Sequence, residues 1–287
     1  MMGKFILSAF ADEVGKDLIA QMNALDEHGI KFIEMRRVDG KELVCYSLDE
    51  TKEIKKQMDA RGFRLSSVGS PIGKISVVDD FESHLELFKH TIEVAKIMDC
   101  RFIRMFSFYI PDGEAAEKYR DEVMERLNRL IKAAEGRDII LLHENEKRIY
   151  GDTAERCLDI FKTMNCCYLK AVFDPANFIQ CNIETYPKAY ELLKDYIVYM
   201  HIKDAVLSEH RVVPAGYGDG KVKEILSDLY DNGYEGFLSL EPHLNKFDRF
   251  ADLDSDIRSE DMPDGRPRKF AVAVKALNKI TSEIYMI

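Results

Sequence analysis

The chain has 287 residues, 46% of them hydrophobic, with 16 Gly, 8 Pro and a formal net charge of −10 from 51 acidic and 41 basic side chains. That composition describes a globular protein long enough for one large core, and its acidic balance argues against a surface built to hold DNA, which needs a basic footprint. No run of about 18 apolar residues occurs, so a helical membrane span is excluded. The N-terminal MMGKFILSAFADEV meets Asp12 and Glu13 after a short apolar run. Signal peptides need a longer apolar core and a small-residue cleavage site, so this stretch reads as a first strand and the protein as cytoplasmic. The six cysteines, Cys45, Cys100, Cys157, Cys166, Cys167 and Cys181, show no CxxC spacing. They are expected to be reduced, mostly buried thiols.

Along the chain, one unit recurs: a helical pattern, a Gly or polar turn, then a short apolar run. After KFILSAF it appears in DEHGIKFIEMR, DARGFRLSSVGS, KIMDCRFIRMFSF, AEGRDIILLHENE, NCCYLKAVFDPAN, KDYIVYMHIKD and DNGYEGFLSLEPH. The apolar runs start roughly 26 to 39 residues apart, room for one strand, one helix and two loops. Gly29, Gly62, Gly136 and Gly233 stand where a helix C-terminus favours positive φ. Between runs, stretches such as LELFKHTIEVAKIM repeat apolar residues at three- and four-residue steps, as a helix with one buried face does. Strands alternating with helices imply parallel pairing. Eight such units predict a single-domain α/β fold over residues 1–287, a closed (β/α)8 TIM barrel. The polar stretch FDRFADLDSDIRSEDMPDGRPRK, residues 247–269, reads as a solvated excursion, with a lid over the site as the alternative. A closing helix is expected over residues 270–284.

In such barrels the chemistry gathers at the C-terminal ends of the strands. The last four strands end in polar groups: His143, Glu144 and Glu146 in LLHENE; Asp174 and Asn177 in VFDPAN; His201, Lys203 and Asp204 in YMHIKD; Glu241 and His243 in LSLEPH. With the period-two alternation of a strand, Leu142 shares a face with Glu144, Val172 with Asp174, Tyr199 with His201 and Ser239 with Glu241. Glu144, Asp174, His201 and Glu241 can then all point into the barrel mouth. Three carboxylates converging in one cavity either protonate or attract a cation. Three oxygen ligands with one imidazole suit one divalent ion, Mn²⁺ first, with Mg²⁺, Co²⁺ or Zn²⁺ as substitutes.

HENE around Glu144, FDPAN around Asp174, MHIKD around His201, VPAGYGDG at residues 213–220 and GYEGFLSLEPH around Glu241 together resemble the xylose isomerase-like TIM-barrel superfamily, the sugar phosphate isomerases/epimerases and AP endonuclease family 2 type. The resemblance implies that Glu144, Asp174, His201 and Glu241 hold the metal. It also implies proton transfer beside the carbonyl of a small sugar, ketose or polyol, phosphorylated or not, through an enediolate. Glu144 and Glu241 would double as catalytic acid/base groups on opposite faces of the substrate. Asn177, Lys203, Asp204, Arg211 and His143 are the expected substrate or supporting contacts. The glycine loop offers amides for hydroxyls or a phosphate, and Glu34, Arg104 and Phe106 are candidates for the pocket wall.

The sequence departs from the ketose 3-epimerase and inosose dehydratase pattern at two positions. Asn177 stands where those enzymes typically carry His, and Tyr150 where the epimerases carry Glu. A dehydratase or lyase using the same metal and base is therefore the main alternative. A non-catalytic sugar-binding relative and a three-zinc DNA-repair endonuclease are further ones, the last lacking the extra histidines it would need. The expected partner is a small carbohydrate, with no nucleic acid and no membrane; a homodimer is an expectation by analogy.

Overall fold

A computed structural model describes residues 2–244 and 266–286. Eight parallel strands close into a barrel: β1 (Lys4–Ala9), β2 (Phe32–Met35), β3 (Arg64–Val68), β4 (Phe102–Met105), β5 (Ile140–Glu144), β6 (Leu169–Phe173), β7 (Ile197–Ile202) and β8 (Glu235–Leu240). Each strand pairs with its neighbours in sequence, and β1 closes the ring on β8 from Lys4 opposite Glu235 to Ala9 opposite Leu240. Helices α1 (Leu18–Asp26), α2 (Leu48–Ala60), α3 (Glu82–Ile97), α4 (Arg120–Ala134), α5 (Ala154–Met164), α6 (Pro175–Gln180), α7 (Tyr190–Leu193), α8 (Val222–Asp231) and α9 (Arg266–Tyr285) run between and after the strands.

Local chemistry sets the helix ends. Ser47 and Glu50 form a capping box at α2, the Ser47 hydroxyl accepting from Glu50 N at 3.3 Å and the Glu50 carboxylate from Ser47 N at 2.7 Å. Gly29, Gly62, Gly136 and Gly233 all take positive φ, as their places after helical segments require. The closing helix starts four residues before the predicted one, at Arg266. Of the excursion, residues 247–265 lie outside the described residues, so the lid expectation falls there too.

Two apolar layers result. Helices and the outer strand faces share one continuous core, while Leu142, Val172 and Tyr199 form a separate cluster inside the barrel, packed with Phe102, Ile140 and Phe237. This inner plug is the floor on which the strand-end groups stand. The register slips by one residue at two places: between Ile33 and Glu34 where β2 meets β3, and between Ala171 and Val172 where β6 meets β7. Such bulges re-aim the side chains that follow. All six cysteines are free thiols, but only Cys100 and Cys157 are buried, while Cys45 and Cys167 are exposed at the surface. The expectation that most would be buried is corrected accordingly.

Candidate metal centre

Glu144 ends β5, Asp174 follows β6, His201 lies near the end of β7 and Glu241 follows β8. Each is the inward neighbour, two residues on, of a barrel-floor position. One ligand atom from each of the four lies within 4.8 Å of all the others, and all four residues are buried. His201 Nδ1 stands 3.3 Å from Glu144 Oε1, 3.6 Å from Asp174 Oδ2 and 3.7 Å from Glu241 Oε2. His201 Nδ1 makes no hydrogen bond, and Asp174 Oδ2 has an ion pair with Lys203 but no well-directed hydrogen bond. Buried polar atoms are rarely left so. Three carboxylate oxygens and one imidazole nitrogen aimed at a common point are a donor set that fits one divalent cation.

The two glutamates are built alike. Glu144 turns Oε1 toward the centre, where Asn177 Nδ2 donates to it at 2.9 Å, and Oε2 toward Arg104 Nη1 at 3.2 Å. Glu241 turns Oε2 toward the centre and Oε1 toward Arg36 Nη1 at 3.2 Å and His243 Nε2 at 3.0 Å. Phe10, fully buried one residue past β1, lies between the two arginines with each guanidinium carbon 5.0 Å from its ring centre. It also meets the His201 ring edge-on at 5.2 Å. Cation–π contacts of this kind hold a guanidinium in one orientation. The electrostatics follow. Burial would raise the Glu144 carboxyl, but His201 and Arg104 outweigh it and hold its pKa at about 2. At Glu241 burial is likewise overcome, by Lys203 and His243 first, which keep it well below the usual carboxylate range.

Of the expected supporting residues, the structure brings two to the cluster. Asn177 grips the centre-facing oxygen of Glu144. The Lys203 ammonium lies 2.9 Å from both Asp174 Oδ2 and Glu241 Oε2. Three others have different partners. His143 alternates with Glu144 and so faces outward, bonded to Ser107 Oγ at 2.9 Å, its pKa lowered to about 4 by burial. Asp204 points into the glycine loop, where its carboxylate accepts from the N–H groups of Ala205, Gly216, Gly218 and Gly220 at 2.8 to 3.1 Å. Those amides are thereby taken, so the loop is an internal anchor in place of a phosphate cradle. Arg211 is half-exposed on the hairpin of Asp204–Val206 and Arg211–Val213, paired with Glu209 at 2.8 Å. Tyr150 gives its hydroxyl to Asp159 at 2.6 Å.

Of the candidates for the pocket wall, Glu34, Arg104 and Phe106 are all buried beside the cluster, Arg104 packing between the rings of Phe10 and Phe106, 5.0 Å from each. Sequence reasoning missed Phe10, Arg36 and Asn145. Asn145 exchanges two hydrogen bonds of 2.9 Å with the backbone of Asp174, locking the end of β5 to that of β6. Arg36 carried a readable signal, a cation one residue past the end of β2 and two after Glu34; Phe10 carried none. A cleft of about 660 Å³ opens beside the cluster, lined by Asp12, Glu13, Arg36, His243 and Phe270 among others. That is within the size range of small-molecule sites.

The family model described as xylose isomerase-like TIM barrel matches residues 22–260. No curated protein matches the sequence significantly. Among solved structures, the chain is similar to D-psicose 3-epimerase from Clostridium cellulolyticum H10, solved with D-tagatose. The identity is 17% over 96% of this chain and 98% of that one, with a TM-score of 0.71. It is similar to the probable 3-DHS dehydratase AsbF from Bacillus anthracis, at 16% identity over 84% and 92% with a TM-score of 0.68. It is also similar to the IOLI protein with a bound zinc atom, at 17% identity over 99% and 100% with a TM-score of 0.73.

Proposed function

The chain belongs to the xylose isomerase-like TIM barrel family, and from that premise we propose that it is a divalent-metal enzyme that isomerises or epimerises a small sugar, ketose or polyol by proton transfer beside a carbonyl. The observation that carries this reading is the convergence of Glu144, Asp174, His201 and Glu241 on one buried point, with His201 Nδ1 lacking any hydrogen bond. These four residues would hold the ion. A divalent ion held there would supply Lewis acidity to the substrate's carbonyl.

The chain's own groups do the rest. Glu144 and Glu241 are held ionised by the Arg104, Lys203 and His243 cations, so each is able to accept a proton from carbon. They approach the centre from two sides, β5 and β8, and a substrate between them presents one face to each. Lys203, protonated because Asp174 and Glu241 outweigh its burial, offsets the charge of the carboxylate ring. Arg36 and Arg104 fix both glutamates against rotation. The inner plug of Leu142, Val172 and Tyr199 keeps water from entering from below.

The test is turnover in D₂O of a panel of ketoses and inososes with the Mn²⁺-loaded protein. Isomerase or epimerase action incorporates deuterium at the carbon beside the carbonyl with no loss of mass as water. No exchange on any panel member, by a protein shown to hold the ion, would count against the reading. A dehydratase is the second reading. His243 Nε2 at 3.0 Å and Lys203 Nζ at 2.9 Å place N–H donors beside Glu241, as expulsion of a hydroxyl needs. It would show as loss of water and the absorbance of a conjugated enone.

A further inference from the structure

Glu34 is fully buried inside the barrel, on β2, directly after the register slip between Ile33 and Glu34. Its Oε2 lies 3.2 Å from His201 Nε2, across the barrel on β7. Its Oε1 has no hydrogen-bond partner, and among the described residues no other cation pairs with it. The Tyr199 hydroxyl beside it is engaged with Ser66 Oγ at 2.8 Å, and Ser66 in turn with Ser8. Taking a carboxylate out of water is costly, and one imidazole at one oxygen is sparse compensation. A barrel interior that had only to pack would carry an apolar residue there, as at Leu142 and Val172.

The other ring nitrogen explains the placement. Nδ1 of His201 is the atom that faces Glu144, Asp174 and Glu241. A neutral imidazole carries its proton on one nitrogen and a lone pair on the other. A carboxylate at Nε2 draws the proton there and leaves the Nδ1 lone pair aimed at the centre. Phe10 holds the ring plane from the side, at an interplanar angle of 76°. We propose that Glu34 is a positioning residue for the metal centre, fixing the tautomer and orientation of His201 through the Nε2–H bond so that Nδ1 is the ligand atom. This rests on the reading of the centre given above. In metal sites generally, removing such an outer partner of a histidine ligand weakens the metal about 10- to 100-fold.

The experiment is Zn²⁺ affinity by chelator competition for wild type and Glu34→Gln, with NMR of the ¹⁵N-histidine-labelled, Zn²⁺-loaded wild type. Gln keeps the size and an acceptor oxygen but removes the charge. The expected results are about 10- to 100-fold weaker binding in the variant, and in the wild type a His201 ring bearing zinc on Nδ1 and a slowly exchanging, strongly downfield proton on Nε2. Equal affinity in the two proteins overturns the proposal while leaving the metal centre standing. Zinc on Nε2, or no protected Nε2 proton, overturns it as well, and this wild-type reading decides the matter where Glu34→Gln does not fold. Failure of the wild type to bind zinc overturns both the centre and the role of Glu34.

Discussion

At the scale of single residues, the centre is an arrangement of paired opposites. Each glutamate gives one oxygen to the common point and the other to an arginine, and one ring, Phe10, spaces the two arginines. Removing a ligand should therefore have a different outcome from removing an arginine. His201→Ala removes the imidazole of the cluster and is expected to abolish metal retention while leaving the fold intact, read by metal analysis and circular dichroism. Retention of a full equivalent of metal would show that the cluster is not the site. Away from the centre, His84 Nε2 accepts the Gly73 N–H at 2.7 Å, and burial followed by Arg126 lowers its pKa to about 4. A histidine kept neutral by the fold binds its proton more readily when unfolded, where its pKa is near 6.5. Stability supplied by this group is present above about pH 6.5 and is lost as pH falls toward 4. Urea unfolding at pH 7 and pH 4.5 should show a larger loss for wild type than for His84→Gln; an equal loss in both would remove His84 from the account.

Among the elements, the glycine loop following β7 shows how a local sequence becomes a fixed shape. Asp204 gathers the amides of Gly216, Gly218 and Gly220 onto one carboxylate, and a Cβ on Gly218 or Gly220 would collide with that carboxylate. Asp204→Ala leaves these amides without an acceptor. It is expected to cost at least about 2 kcal/mol, since each buried group left unsatisfied costs ~1–3 kcal/mol. Hydrogen exchange should become faster at residues 214–220 first. Unchanged exchange in that segment would mean that the loop is held by something else. At α2 the smaller device, Ser47→Ala, should cost about 1 kcal/mol, measured by urea unfolding.

The same elements show what the sequence revealed and what it hid. Period-two alternation was enough to place Glu144, Asp174, His201 and Glu241 on one face, because a strand allows only two faces. Asp204 was harder: it stands three residues after His201, past the end of β7, and turns its carboxylate into the glycine loop, whereas His143, inside β5, faces outward by the same alternation that turns Glu144 inward. Which side a residue takes after a strand ends depends on loop geometry, which carries no such period. The Glu34–His201 contact joins residues 167 positions apart, and only closure of the barrel brings them together. Phe10 and Arg36 became visible for the same reason.

On the scale of the whole molecule, eight repeated units build a barrel whose closed floor carries a concentrated set of buried charges. That is an unfavourable arrangement for a bare protein and a favourable one for a protein with a cation. Binding that favours the native state stabilises it by mass action, about 2.7 kcal/mol at a hundred times the dissociation constant. Saturating Mn²⁺ should accordingly raise the Tm of the wild type and leave that of Glu241→Ala unmoved. The measurement that tests the central claim most directly is the metal content of the purified protein beside Glu241→Ala, by elemental analysis after incubation with Mn²⁺ and desalting. About one divalent ion per chain in the wild type, lost in the variant, is the expected result. No retained ion in the wild type, or the same content in both proteins, would contradict the account.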